Sequence, residues 1–315
     1  MPISKEKNLY ISVIVPVYNS DSILPELLKR IESTISNDPY EIILINDQSL
    51  DKSWQKICEL SKHNKRVRGI NLRKNVGQDC AIMAGLHSAN GKIIIIMDDD
   101  LQHDPRDIPI LVRKVESGYD VCYAKFSQKK QSIFKNLGSW FNDKIANIVI
   151  GKPKGLYLSP YKAIRLEIVK EVLNYDGPYP YIDGLIFRNT INITQETITH
   201  HKRFSGKGNI NIIKSISVWL RVVTNFSIFP LRIASYLGFF ASIVGFVLGL
   251  MFIIQYYLGI ESPQGWPSLI VTILFIGGIQ LLSLGILGEY IGRSFLHQNK
   301  EPQFVVKDTT WQKGD

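Results

Sequence analysis

The stretch Ile93–Pro105, IIIIMDDDLQHDP, decides how the rest of the chain is read. Five apolar residues run straight into three consecutive aspartates. A short, continuous, β-branched apolar run is the pattern of a strand buried on both faces, as in a parallel sheet covered by helices. The aspartates then stand where that strand ends. Adjacent carboxylates repel one another and resist burial, so the arrangement costs stability unless a cation sits among them.

Working outward, Ile11 to Val17, Glu41 to Ile45, Val67 to Leu72 and Asp120 to Ala124 are further β-branched runs. Between them lie SILPELLKRIESTI (22–35), KSWQKICELSKHN (52–64) and PRDIPILVRKVESG (105–118), with apolar residues at helical spacing. Strands alternating with amphipathic helices predict an α/β, Rossmann-like fold with a mostly parallel sheet between helices. Ligands of such sheets bind beyond the carboxyl ends of the strands. Three strand ends converge there: Pro16 to Asn19, Asp47, and Asp98 to Asp100. Carboxylates with a neighbouring amide, Gln102, suit Mg²⁺ or Mn²⁺ whose coordination is completed by substrate phosphates. No His/Cys set has zinc spacing; His103 reads as a loop residue and Asp104 as a cap for the helix at Pro105. No G-x-G-x-x-G follows the first strand and no P-loop occurs, which removes the motif basis for hydride transfer and for P-loop chemistry.

Past Phe126, KKQSIFKNLGSWFNDKIANIVIG (129–151) reads as a helix, GLYLSPYKAI (155–164) as strand-like and RLEIVKEVL (165–173) as a helix. Asp183, in YPYIDGLI (179–186), has two open readings: a group that orients an acceptor, or a helix-capping or salt-bridged residue.

The C-terminal third changes character. Ile233 to Leu258 and Ser268 to Gly288 contain no charged residue, and each is long enough to cross a bilayer. The formal charge of +9 is uneven: Thr197 to Ile260 holds six Lys or Arg and no acid. Because that basic stretch leads into an apolar one, anionic headgroups or a lipid phosphate suit it better than nucleic acid. Asn209 to Phe229 is amphipathic and is expected in the membrane interface. The loop GIESPQGWP carries no Lys or Arg, whereas Arg232, Arg293 and Lys300 flank the outer ends. The positive-inside rule therefore puts the loop outside and both termini in the cytosol, on a multi-pass plasma-membrane protein. The N-terminus shows no signal-peptide pattern. Cys58, Cys80 and Cys122 are expected as reduced, isolated core residues. The expected parts are a catalytic domain over residues 1–208, a juxtamembrane region over 209–232, two spans over 233–292 and a cytosolic tail over 293–315.

Five signatures carry a resemblance: VIVPVYNS (13–20), LINDQSLD (44–51), LRKNVGQDCAIMAGL (72–86), MDDDLQHDP (97–105) and ILGEYIGR (286–293). The chain resembles the polyisoprenyl-phosphate glycosyltransferases of glycosyltransferase family 2, from about Ile11 to about Gln303. That group includes dolichol-phosphate mannose synthases and bacterial undecaprenyl-phosphate sugar transferases. The resemblance implies a GT-A fold, a nucleotide-sugar donor (a UDP-sugar), a polyprenyl-phosphate acceptor and a role in cell-envelope glycans. By position it puts Pro16, Tyr18, Asn19, Asp99 and Lys125 beside the nucleotide sugar, with Asp47 holding the base. Asp98 would face ribose and diphosphate and, with Asp100 and Gln102, hold the metal; Arg203 would meet the diphosphate or the acceptor phosphate, and Lys207 the acceptor phosphate. Asp100, Arg203 and Asp183 would carry the catalytic work. The chain departs from the family pattern at Leu156, where relatives carry Asp, at Phe126, where they carry Arg, and at Gly208, where they carry Ser. Two rivals are a non-catalytic nucleotide-sugar-binding relative and a processive synthase, but the latter needs more spans and a Q-x-x-R-W segment. The sugar and the nucleobase are left open, as is assembly into a homo-oligomer.

Overall fold

The computed structural model describes residues 9–126, 151–198, 229–258 and 265–311. The chain forms two compact units, residues 1–209 with 300–315, and residues 210–299.

The first unit is built on an eight-stranded sheet of order β7-β5-β6-β4-β1-β2-β3-β8. Its strands are β1 Ile11–Val17, β2 Tyr40–Asn46, β3 Val67–Leu72, β4 Ile93–Ile96, β5 Val121–Phe126, β6 Lys162–Arg165, β7 Ile193–Ile198 and β8 Val306–Thr309. The expected mostly parallel sheet is a mixed one. β1 pairs parallel with β2 and β4, β2 with β3, and β5 with β7. β6 runs antiparallel to both β4 and β5, and β8 antiparallel to β3. Parallel neighbours need a helical crossover, and α1 Leu24–Ile35, α2 Ser53–His63, α3 Gln78–Leu86 and α4 Ile108–Glu116 provide it in the first half. β8 arrives from the far end of the chain, so nothing requires it to follow the parallel rule.

Apart from half-buried Pro16, the central strands β1, β2 and β4 are buried along their length, as the Ile/Val runs require. Helices α1 and α4 turn Leu24, Leu27, Ile31, Leu111 and Val115 into the core against them. Helix α3 is buried nearly all round. It lies so close to the sheet that a Cβ on Gly85 would meet Ile14 Cγ2 at 2.7 Å and Ile45 Cδ1 at 2.8 Å. All three cysteines are free thiols; Cys80 and Cys122 lie in the core as expected, whereas Cys58, on α2, is only half-buried. At the end of the sheet opposite the aspartates, the buried Glu41 carboxylate accepts from Ser12 Oγ at 2.6 Å, Asn90 N at 2.7 Å and Arg68 at 2.8 Å.

Helices α5 Leu166–Leu173 and α6 Ile182–Asn189 complete the first unit. β8 gives the segment after residue 299 a fixed place: Ile70 pairs with Thr309 and Asn71 with Asp308.

The second unit contains α7 Phe229–Tyr257 and α8 Trp266–Gln298, of 29 and 33 residues. Both expected apolar runs fall largely within them. Large apolar side chains such as Phe239, Phe246, Leu281 and Leu282 are exposed, the reverse of a soluble surface. Among the described residues, one stretch, Phe275–Leu296, is long and apolar enough to cross a membrane, and the apolar stretch Ala234–Leu248 is shorter. The expected interfacial helix and the helix after Phe126 lie outside the described residues.

Candidate active site

β1, β2, β4 and β5 point their carboxyl ends at one rim, and the antiparallel β6 starts there. At that rim β1 ends in Tyr18 and Asn19, with Asn19 in the left-handed region at φ 56°. The turn is held from both sides. Asn19 N–H donates to Ser49 Oγ at 3.0 Å, and Asn19 Oδ1 accepts from Leu50 N–H at 2.8 Å. Tyr18 N–H donates to Asp99 Oδ2 at 3.2 Å, linking the first strand end to the aspartate run, while the Tyr18 ring stays exposed. Pro16 pairs with Ile45 inside the sheet.

Asp47 is buried, and both of its oxygens are used: Oδ1 accepts from Val76 N–H at 2.8 Å and Oδ2 from Gly77 N–H at 2.9 Å. Burial pushes its carboxyl above the usual range, and those two N–H groups pull it back. Its visible task is to brace the loop entering α3.

Asp98 lies two residues past β4. Its Oδ1 accepts from Gln78 Nε2 at 2.6 Å, and its N–H donates to His103 Nδ1 at 3.3 Å. Burial first, and then the charges of Asp100 and Asp99, raise its carboxyl to about 7. Asp99 is likewise raised, chiefly by burial. Asp100 Oδ1 accepts from Gln102 N–H at 3.0 Å, and the Gln102 amide donates to Oδ2. Leu101, at φ 57° and buried, anchors the turn from below. His103 is stacked on Tyr161 at 5.2 Å between ring centroids, which suits a structural loop residue. Asp104 accepts from Arg106 N–H and so caps the short 3₁₀ turn Pro105–Asp107.

The charges of Asp99 and Asp100 add to the burial that raises Asp98 to about 7, and a divalent cation among the three carboxylates relieves that repulsion. Among the described residues, no three His, Cys, Asp or Glu side chains form a ready-made metal cage. Two carboxylates and an amide still suit Mg²⁺ or Mn²⁺, which keep open positions for substrate phosphates.

Lys125 is the fifth residue of β5, near its rim end, and is half-buried. Asp183 lies in the first turn of α6, paired with Lys162 and accepting from the Tyr123 hydroxyl at 2.8 Å. The salt-bridged alternative is therefore present in the fold. Leu156 is buried. Arg203, Lys207 and Gly208 lie outside the described residues, five to ten positions after β7, which ends at the same rim. Gln78, Asp79 and Lys162 were not anticipated as site residues. Gln78 and Asp79 carried a signal in the segment NVGQD, whereas the single lysine of GLYLSPYK carried none.

A family model described as "Glycosyl transferase family 2" matches residues 12–173. The chain belongs to glycosyltransferase family 2. Among curated relatives, it is 32% identical over 311 residues to the undecaprenyl-phosphate 4-deoxy-4-formamido-L-arabinose transferase of Pectobacterium carotovorum subsp. carotovorum, covering 95% of this chain and 93% of that one. It is 30% identical over 305 residues to the bactoprenol glucosyl transferase of Shigella phage SfV, covering 95% and 98%. In fold, it is similar to glucosyl-3-phosphoglycerate synthase from Mycobacterium tuberculosis, solved with Mn²⁺, UDP-glucose and phosphoglyceric acid. There the TM-score is 0.51 at 15% identity, over 69% of this chain and 78% of that one. The first unit thus has the GT-A glycosyltransferase fold with a mixed sheet.

Proposed function

We propose that this protein transfers a sugar from a nucleoside diphosphate sugar, a UDP-sugar, to the phosphate of a membrane polyprenol such as undecaprenyl phosphate. The observation that carries this reading is the near end-to-end match, helices included, to transferases whose names give undecaprenyl phosphate or bactoprenol. A phosphate oxygen of the acceptor bonds to C1 of the sugar as the bond from C1 to the diphosphate breaks, with inversion. An acceptor phosphate monoester is largely ionised near neutral pH, its second pKa being about 6, so no strong general base is needed. What the chain must supply is alignment and charge stabilisation.

Asp98, Asp100 and Gln102 would hold Mg²⁺ or Mn²⁺, which when bound neutralises charge on the departing diphosphate. Tyr18, Asn19 and Asp99 shape the nucleotide edge of the rim, Pro16 and Asp47 support it from within the sheet, and Lys125 approaches from β5. Arg203 and Lys207 pair with the acceptor phosphate.

The α7–α8 segment is a membrane hairpin in this reading, with the catalytic unit and both termini on the cytosolic face of the plasma membrane. Its support is topological: β8, Val306–Thr309, pairs with β3 in the sheet of the first unit, so any bilayer crossings between β7 and β8 come in an even number. A single crossing by Phe275–Leu296 would strand β8 on the wrong side.

The test is purified protein given labelled UDP-sugars and undecaprenyl phosphate, with and without EDTA. Metal-dependent appearance of label in the lipid fraction, absent in Asp100→Asn, is the expected result. Full turnover in EDTA, or an Asp100→Asn enzyme with unchanged rate, would refute the metal role.

A further inference from the structure

Lys162 opens β6 opposite Ile96 of β4 and Tyr123 of β5, at the rim two residues from Asp98 in register. Its side chain is 4% exposed. The ammonium donates to Asp183 Oδ1 and lies 5.0 Å from the Tyr123 ring centroid. The Tyr123 hydroxyl donates to the same Oδ1 at 2.8 Å. From α3, Asp79 Oδ1 accepts the N–H of Ile182, the residue before Asp183, at 3.5 Å. Three elements, β6, β5 and α3, therefore fix the position of one carboxylate on α6.

Burying an ammonium is costly, and an apolar pair of similar volume often serves stability equally well. What the pair supplies that an apolar pair does not is an oriented charge. Both hydrogen bonds fall on Oδ1, so Oδ2 retains its accepting capacity, and the Asp183 side chain keeps 15% exposure. A carboxylate oxygen only accepts, and it repels a phosphate; the ligand group it suits is a hydroxyl.

We propose that Lys162 is a positioning residue for transfer: it fixes Asp183 so that Oδ2 meets a hydroxyl of the donor's sugar, and the pair helps decide which sugar is accepted. The inference rests on the nucleotide-sugar reading above. It assigns Asp183 to the sugar rather than to the acceptor phosphate, which would meet a like charge there.

The experiment uses the full-length protein in detergent with Mn²⁺. Calorimetry measures dissociation constants for UDP and for a panel of UDP-sugars that includes epimeric pairs. Lys162→Met and Asp183→Asn should leave UDP affinity within about twofold yet lose about tenfold to a hundredfold for the preferred UDP-sugar, as expected for one charge-assisted hydrogen bond. Discrimination between epimers should narrow in both, and Lys162→Arg should recover most of the loss. A wild-type ratio of UDP-sugar to UDP affinity in Asp183→Asn, which is isosteric, would overturn the proposal. So would equal losses for UDP and UDP-sugar in that variant. Wild-type protein that binds a UDP-sugar but moves no sugar to undecaprenyl phosphate would refute the acceptor reading alone, leaving this ratio measurable.

Discussion

Deleting residues 300–315 should destabilise the catalytic unit, although the segment follows the last long helix. The tail does more than pair as β8. Arg73 N–H donates to Val305 O at 2.9 Å, Thr310 N–H to Gly69 O at 3.0 Å, and Gly69 N–H to Thr310 Oγ1 at 2.8 Å. Asn71 Nδ2 donates to Asp308 Oδ2 at 3.2 Å, and Gln303 Nε2 donates to both Tyr175 O and Gly177 O at 2.9 Å. Arg68 also lies 4.1 Å from the Trp311 ring centroid. At about 1 kcal/mol net per hydrogen bond, with partial replacement by water, the loss is about 4–6 kcal/mol. A domain has only about 5–15 kcal/mol in total. At about 2–4 °C per kcal/mol for a unit of this size, the midpoint should fall by about 10–20 °C. A thiol-reactive dye reads the right event, because the chain's three cysteines all lie in this unit and Cys80 and Cys122 are buried. A midpoint within about 3 °C of the intact chain would refute the view that the tail belongs to the unit.

Three further outcomes follow from particular residues. Glu41→Ala should cost about 3 kcal/mol, since it takes their shared buried acceptor from Arg68, Ser12 Oγ and Asn90 N–H; UDP affinity at the opposite rim, measured by calorimetry, should be unchanged. Asp98, raised to about 7 against 3.8 for a free side chain, keeps its proton until near neutral pH in the metal-free protein. Its protonated form stabilises the metal-free fold fully below about pH 4, and that contribution is lost as pH rises through about 7; because Mn²⁺ must displace the proton, its affinity should climb by about one log unit per pH unit below 7 and then level off. A flat titration from pH 5.5 to 8 would contradict this. A cysteine at Ser262 should react with an impermeant maleimide in intact cells and one at Asp308 should not; the opposite labelling would invert the topology.

The fold was legible wherever a pattern had one dominant cause. Apolar β-branched runs read as strands because β1, β2 and β4 are buried on both faces. Helices α1 and α4 read as helices because one face is apolar. Helix α3 was missed because it is buried nearly all round and has no face to read. β8, VKDT, is an exposed edge strand whose reason for existing is the partner β3, more than 230 residues away in sequence. β6 was legible as a strand, but its antiparallel direction was not, because direction is set by where the chain returns. At the site, the aspartate run announced itself by the cost of like charges. Lys162 did not, since its pairing with Asp183 exists only once β6 and α6 are packed.

The central claim is lipid-phosphate transfer from the aspartate rim, and the most direct measurement is acceptor partition. Full-length protein with Mn²⁺ and its preferred labelled nucleotide sugar is offered undecaprenyl phosphate together with soluble phosphate monoesters and free sugars. Label should appear in the lipid, and Arg203→Ala should depress that transfer far more than it weakens nucleotide binding. Faster transfer to a soluble acceptor than to the lipid, or unchanged turnover in Arg203→Ala, would contradict the account.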